Sequence, residues 1–97
     1  MNFLKEKKLI DDFSLSQKIV EKLKKKGKGY YYILRELERR KIDEKVLEKF
    51  KKNYDFKEEL ERCKNILSKL KGKNKSSILL NLKNRGFPDD IIEKLMF

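Results

Sequence analysis

The sequence has no histidine and no tryptophan, and only one cysteine and one proline among its 97 residues. Histidine is the usual general acid or base at neutral pH, and histidine and cysteine supply most zinc sites. Their scarcity excludes most catalytic and metal-binding arrangements. Cys63 alone cannot form an internal disulfide, which fits a reducing cytosol. We therefore expect a cytoplasmic protein that is not an enzyme and holds no cofactor or metal.

Long hydrophobic runs are also missing. The longest apolar run covers residues 30–34, far short of the ~18 residues that a membrane span needs. No apolar segment with a small-residue cleavage site follows Met1. We therefore expect neither secretion nor membrane insertion.

Charge, by contrast, is abundant. Lys and Arg number 27 against 16 Asp and Glu, which gives a formal net charge of +11. The excess is spread over both halves of the chain. Such a positive field favours an anionic partner and speeds encounter with it, but it does not identify that partner.

The periodicity of the apolar residues predicts an all-α protein. They recur at spacings of three and four, and the helix-favouring residues Lys, Leu and Glu dominate. A short leading helix is suggested by Phe3, Leu4, Leu9 and Ile10. The next helix is expected to begin at Ser14, in a capping box with Gln17, or alternatively at Asp11 or Asp12.

Further along the chain, short polar side chains mark the expected helix starts. Asp43 and Asp55 are predicted N-caps, and either Ser76 or Ser77 is expected to cap a fifth helix. Pro88 suits the first position of the last helix.

The two halves of the sequence repeat. Residues 33–50 align with 78–95 at an offset of 45, with six of 18 positions identical, and upstream of these ranges the offset becomes 47. Small helical units bury their apolar faces by stacking end to end. We therefore expect tandem three-helix repeats in an elongated rod that can curve. The predicted divisions are a remnant helix of a first repeat at 1–10 and three-helix repeats at 11–53 and 54–97.

Five short motifs follow one another at the spacing of these repeats. They are Leu9-Ile10-Asp11-Asp12, Gly27-Lys28-Gly29, Arg35-Glu36-Leu37, Arg40-Lys41-Ile42 and Arg85-Gly86-Phe87. In this order, over roughly residues 9–95, the chain resembles the RecX family, the regulatory proteins of the RecA recombinase. That family usually has three such repeats, whereas the first is here reduced to one helix. Tyr30 stands where a proline is common, and Lys41 where a glycine is common.

The resemblance implies regulation rather than chemistry. RecX proteins bind the RecA filament on single-stranded DNA, lie along its groove, and limit its ATPase and strand exchange. Some also contact DNA directly. By resemblance, we expect a monomeric rod that regulates RecA in homologous recombination, DNA repair and the SOS response.

Basic and aromatic residues are the candidate contacts with such a partner. They are Lys24, Lys25, Lys26, Lys28, Tyr32, Arg35, Arg39, Lys71, Lys73, Lys75 and Arg85. The lysine clusters fit a solvated face as well as they fit contact with DNA phosphate or an acidic groove. Arg85, like its repeat counterpart Arg40, also fits a salt bridge or a helix C-terminal contact inside its own repeat.

The tyrosines at 30–32 leave two interpretations open. Tyr32, Arg35 and Arg39 are spaced to share one exposed helix face, which suits base stacking or contact with a protein. Alternatively, Tyr30 packs inside while Tyr31 and Tyr32 stand at the rim.

Two other functions also fit the composition. One is a small basic helical module that binds nucleic acid directly, which would show a steep dependence on salt. The other is a repeat adaptor for an unrelated acidic protein.

Overall fold

In a computed structural model the chain is an elongated all-helical rod. The structure describes the backbone of residues 3–97 and the side chains from residue 8 onward. The principal axes measure 57, 18 and 16 Å. The described helices are α1 (Phe3–Lys25), α2 (Tyr30–Arg39), α3 (Glu44–Asn53), α4 (Phe56–Lys69), α5 (Lys75–Asn84) and α6 (Asp89–Met96). The predicted all-α rod of stacked three-helix repeats is confirmed.

The helices pack in two groups of three, each around its own apolar core. We call α1–α3 unit 1 and α4–α6 unit 2. The unit 1 core consists of Ile19, Leu23, Ile33, Leu37, Ile42 and Val46. The unit 2 core consists of Cys63, Leu70, Leu82, Phe87, Ile91 and Ile92. Positions related by the sequence offsets are buried alike: Leu37 and Leu82 are both fully buried.

The first helix differs from the prediction. No break occurs at Ser14, Asp11 or Asp12, because α1 runs without interruption through residue 25. Asp12 instead serves another element: its Oδ2 accepts a hydrogen bond of 2.8 Å from the Asp43 N–H at the start of α3. The predicted remnant helix therefore continues directly into α1, while residues 1–2 lie outside the described part.

The other helix starts agree with the sequence in part. The side chains of Asp43 and Asp55 cap α3 and α4 as predicted. Asn74 caps α5 instead of Ser76 or Ser77, and its Oδ1 accepts from the Ser77 N–H at 2.8 Å. Pro88 precedes the first residue of α6 by one position. Asparagine and serine are equally good N-caps, so the sequence alone did not separate Asn74 from Ser76 or Ser77 as the cap of α5.

The turn after α2 contains a strained residue. Lys41 has a φ of 56°, and its repeat counterpart Gly86 has a φ of 87°. This left-handed conformation costs an L-residue about 1–2 kcal/mol. Glycine avoids that cost, although its larger loss of chain entropy on folding cancels part of the gain. Lys41 is exposed. We expect Lys41→Gly to raise the free energy of unfolding in urea by about 0.5–1 kcal/mol.

The matched control for this substitution is Lys64→Gly. Lys64 is an exposed lysine inside α4. Glycine in a helix interior costs about 1 kcal/mol, so this variant should lose stability. A loss of stability in both variants would contradict the assignment of strain to Lys41.

Candidate partner-binding surface at the unit junction

The two units meet where α5 ends and α2 begins. The Gly29 N–H donates to the Arg85 carbonyl at 2.7 Å, and the Tyr31 N–H donates to the Gly86 carbonyl at 3.0 Å. The first amides and the last carbonyls of a helix have no partner within that helix. Here the turn after α5 supplies carbonyl acceptors to the amides at the start of α2.

Two glycines allow this close approach. A Cβ at Gly29 would lie 2.6 Å from the Phe87 nitrogen, and a Cβ at Gly86 would lie 2.3 Å from the Tyr32 nitrogen. Gly29 and Gly86 belong to the Gly27-Lys28-Gly29 and Arg85-Gly86-Phe87 motifs. Two of the sequence motifs therefore face each other across the junction.

Arg85 reaches across the same boundary. Its Nη1 lies 3.4 Å from each of the Lys26 and Gly27 carbonyls at the end of α1, and its Nε donates to Asn81 at 2.8 Å. The expected helix C-terminal contact exists, but it lies in the other unit rather than in its own. Arg40 bonds Glu36 within unit 1 at 3.2 Å, as predicted. Arg85 and Arg40 differ because only Arg85 lies where the two units stack, and the sequence does not show which residues lie there.

A buried polar cluster lies behind the junction. Glu59 is fully buried, and its Oε1 accepts from the Tyr54 hydroxyl and, at 3.1 Å, from Arg62. Arg62 also donates to the Tyr54 oxygen at 2.9 Å and to the Lys28 carbonyl at 3.3 Å. The cluster thus ties α4 to the turn before α2. Within residues 8–97, Glu59 Oε2 has no hydrogen-bond partner.

Sequence reasoning did not identify this cluster. A usable signal existed, because Glu59 lies four residues before Cys63 and therefore on the buried side of α4. A charged residue on an apolar face needs a partner, and Arg62 is three residues away.

Burial governs the protonation of these groups. Burial raises the pKa of Glu59 above its ordinary value, opposed by the Tyr54 hydrogen bond and the Arg62 charge. Burial, together with the hydrogen bond to Glu59, raises the pKa of the Tyr54 phenol. Burial and the charge of Glu59 raise the pKa of the Cys63 thiol to about 11. A fully buried carboxylate cannot reach a substrate, so the cluster is structural.

The lysines around the end of α1 lie in different environments. Lys24 is partly buried: its Nζ lies 3.4 Å from Glu58 of α4 and 5.3 Å from the Tyr54 ring centre. It bridges the two units, so its positive charge is already engaged within the chain. Lys25 and Lys26 are exposed.

The second lysine cluster lies apart from the first. Lys71, Lys73 and Lys75 are exposed around the start of α5, and Lys75 Nζ lies 4.0 Å from the ring centre of Phe97. The ten residues of α5 separate this cluster from the junction by roughly 15 Å. The two predicted lysine clusters therefore do not merge into a single patch.

A groove crosses the unit boundary. It is a cavity of about 730 Å³, lined by Tyr32 and Arg35 of α2, by Lys83 and Asn84 of α5, and by Asp89 and Asp90 of α6. We use the name junction groove for this surface.

Two of the predicted contact residues, Tyr32 and Arg35, line this groove, and a third, Lys28, lies next to it. Lys28 Nζ lies 4.6 Å from the ring centre of Tyr32, and Arg35 is exposed beside them. Arg39 is 73 % exposed one turn beyond Arg35, where it pairs with Glu36 at 2.8 Å. The expected Tyr32, Arg35 and Arg39 face therefore exists, with the Arg39 charge partly neutralised. Lys83 is a groove residue that sequence reasoning missed, because only the tertiary structure brings it near α2.

The three tyrosines divide as the second interpretation predicts, with Tyr30 packed inside and Tyr31 and Tyr32 at the rim. Tyr30 packs with the rings of Phe50, Tyr54 and Phe56, and it stacks on Phe56 at 5.3 Å between centroids. Tyr31 and Tyr32 are 57 % and 37 % exposed. Tyr30 therefore helps to join the units, whereas Tyr31 and Tyr32 both line the junction groove and are open to a partner.

Comparisons of the chain with protein-family models, with curated proteins and with solved structures found no match. The resemblance to RecX proteins therefore rests on the sequence motifs. Among the described residues, no group of three or more His, Cys, Asp or Glu side chains could hold a metal ion. None of the described helices is both long enough and apolar enough to cross a membrane.

Proposed function

We propose that the protein is a non-catalytic regulator that binds in the groove of the RecA filament on single-stranded DNA and limits its ATPase and strand exchange. The observation that carries the proposal is the junction groove. Tyr32, Arg35 and Lys83 line this open groove together with Asp89 and Asp90, and Lys28 Nζ lies 4.6 Å from the Tyr32 ring centre.

The shape of the rod favours a filament over a globular partner. At 57 Å long and 18 Å wide, it can contact successive subunits of a helical polymer. Several weak contacts on one rigid body act together, so none has to be tight alone. The exposed lysines at the start of α5 supply a second contact region. Bridged subunits would resist the rearrangement that accompanies ATP hydrolysis.

The deciding measurement is RecA ATPase on single-stranded DNA, with the chain titrated in at near-physiological salt. We expect suppression at protein concentrations well below that of RecA. The double variant Arg35→Glu and Lys83→Glu should raise the half-effective concentration about tenfold or more, because it reverses two charges in the junction groove.

The matched control reverses two exposed lysines away from the groove, with Lys64→Glu and Lys94→Glu together. It changes the net charge by the same amount and should stay near the parent value. If both double variants raised the half-effective concentration equally, the net charge alone would explain the change, and a role for the groove would be contradicted. Lys24 is not a suitable test residue, because its reversal would also break the pair with Glu58.

Direct binding of single-stranded DNA is the second candidate function. It is favoured by the exposed Tyr32 ring beside the Lys28 ammonium, since an aromatic ring among cations suits base stacking. Tight binding to naked single strands, steep salt dependence and no effect on RecA ATPase would favour it over filament regulation.

A further inference from the structure

Unit 1 carries an open apolar groove on its surface. It has a volume of about 280 Å³ and lies between α1 and α3, with Ile10, Phe13 and Val46 among its lining residues and Lys45 and Lys49 at its side. Ile10 is 68 % exposed and Phe13 is 37 % exposed. We call this surface the α1–α3 groove.

The repeat shows what this kind of groove does. In unit 2, Phe56, Asp90 and Ile91 line a cavity that Tyr30 and Tyr31 of unit 1 close from the other side. By the offsets of 47 and 45, the counterparts of these three unit 2 residues are Leu9, Lys45 and Val46. All three counterparts line the α1–α3 groove. This groove is therefore the unit 1 equivalent of a surface that, in unit 2, receives an aromatic helix start.

A second copy of this chain does not fit the groove. Its free helix start is α5, where Lys75 takes the position of Tyr30 and would face Lys45. Close backbone approach at the junction needs glycine at 29 and 86, where a Cβ would lie 2.6 and 2.3 Å from the opposing backbone. The corresponding positions are Asn74 and Lys41. Like charge and side-chain bulk both oppose end-to-end stacking of copies.

We propose that the α1–α3 groove binds a segment of a partner protein that carries an aromatic side chain next to carboxylates. The aromatic ring would take the place that Tyr30 and Tyr31 take on unit 2. The carboxylates follow from a change of sign at one position: Asp90 lines the unit 2 cavity, whereas its counterpart Lys45 lines the α1–α3 groove, where Lys49 adds a second positive charge. Lys49 Nζ already lies 4.9 Å from the Phe13 ring centre, above the groove. The inference does not depend on the proposed RecA function.

The test is selection of peptides from a random library displayed on phage, with the full chain as bait. We expect the enriched peptides to share an aromatic residue flanked by Asp or Glu. A synthetic peptide of the enriched sequence, measured by fluorescence anisotropy, should bind Ile10→Ser and Lys45→Glu about tenfold or more weakly than the parent chain.

The controls are Leu80→Ser, which changes an exposed leucine of unit 2 that is 61 % exposed, and Lys64→Glu. Both should bind the peptide like the parent, and circular dichroism should show the same helicity for all variants. Three results would overturn the proposal: no enrichment, enriched peptides without the aromatic and acidic pattern, or equal binding by Ile10→Ser and Leu80→Ser.

Discussion

Replacing Gly86 with alanine should lower the free energy of unfolding by about 2–5 kcal/mol. Gly86 has a φ of 87°, a conformation that costs an L-residue about 1–2 kcal/mol. The added Cβ would also lie 2.3 Å from the Tyr32 nitrogen. Because that neighbour is backbone at the start of α2, the helix ends must separate, and such overpacking costs about 1–3 kcal/mol. Urea denaturation followed by circular dichroism measures the loss.

Gly72→Ala is the matched control for this substitution. Gly72 has a φ of 97°, but a Cβ there would meet nothing within 4 Å. It should therefore lose only the backbone contribution of about 1–2 kcal/mol. Equal losses in the two variants would show that close approach at the junction contributes nothing.

Replacing Glu59 with alanine should cost about 3–5 kcal/mol, as expected when one partner of a buried ion pair is removed. The substitution leaves the Arg62 guanidinium, whose side chain is only 13 % exposed, without its buried carboxylate. It also removes the acceptor of the Tyr54 hydroxyl. The same urea titration measures this loss.

Two further variants separate charge from hydrogen bonding in this cluster. Glu59→Gln keeps an acceptor for Tyr54 and should lose less than Glu59→Ala. Glu58→Ala removes a carboxylate that also contacts Arg62 but is 52 % exposed, so it should cost less than about 1 kcal/mol. A loss in Glu59→Ala no larger than that in Glu58→Ala would refute the structural role of the buried cluster.

The pH dependence of stability gives an independent check on Glu59. Its pKa in the folded protein is raised above the ordinary value of 4.5, mainly by burial. The folded state therefore favours the protonated carboxyl, and this contribution to stability is complete below pH 4.5. It is lost as the pH rises through the folded pKa. The stability of the parent relative to Glu59→Gln should fall over that interval, and a rise would contradict the assigned direction.

Local features of the fold could be predicted from the sequence because their causes are local. Asp43 and Asp55 cap their helices through amides two or three residues away. The prediction failed where a side chain serves a distant element. Asp12 was an expected helix start, but it bonds Asp43 across unit 1, so α1 continues past it.

The candidate site could be predicted only in part. Tyr32 and Arg35 were identified because their spacing places them on one face of a single helix. Lys83 was missed and Lys24 proved to be a bridge between units, because both outcomes depend on which helix ends meet. A sequence offset shows that two units exist, but it does not show which surfaces they place in contact.

The sequence by itself determined the helices, the repeat and the positive charge, since these follow from periodicity, capping residues and composition along short stretches of chain. Only the tertiary structure decided that Gly29 and Gly86 let the two units touch, that Glu59 is buried with Arg62, and that the junction groove and the α1–α3 groove exist. The physical reason is that burial and close approach depend on which helices meet in space, and their energies depend on distances that no local pattern encodes.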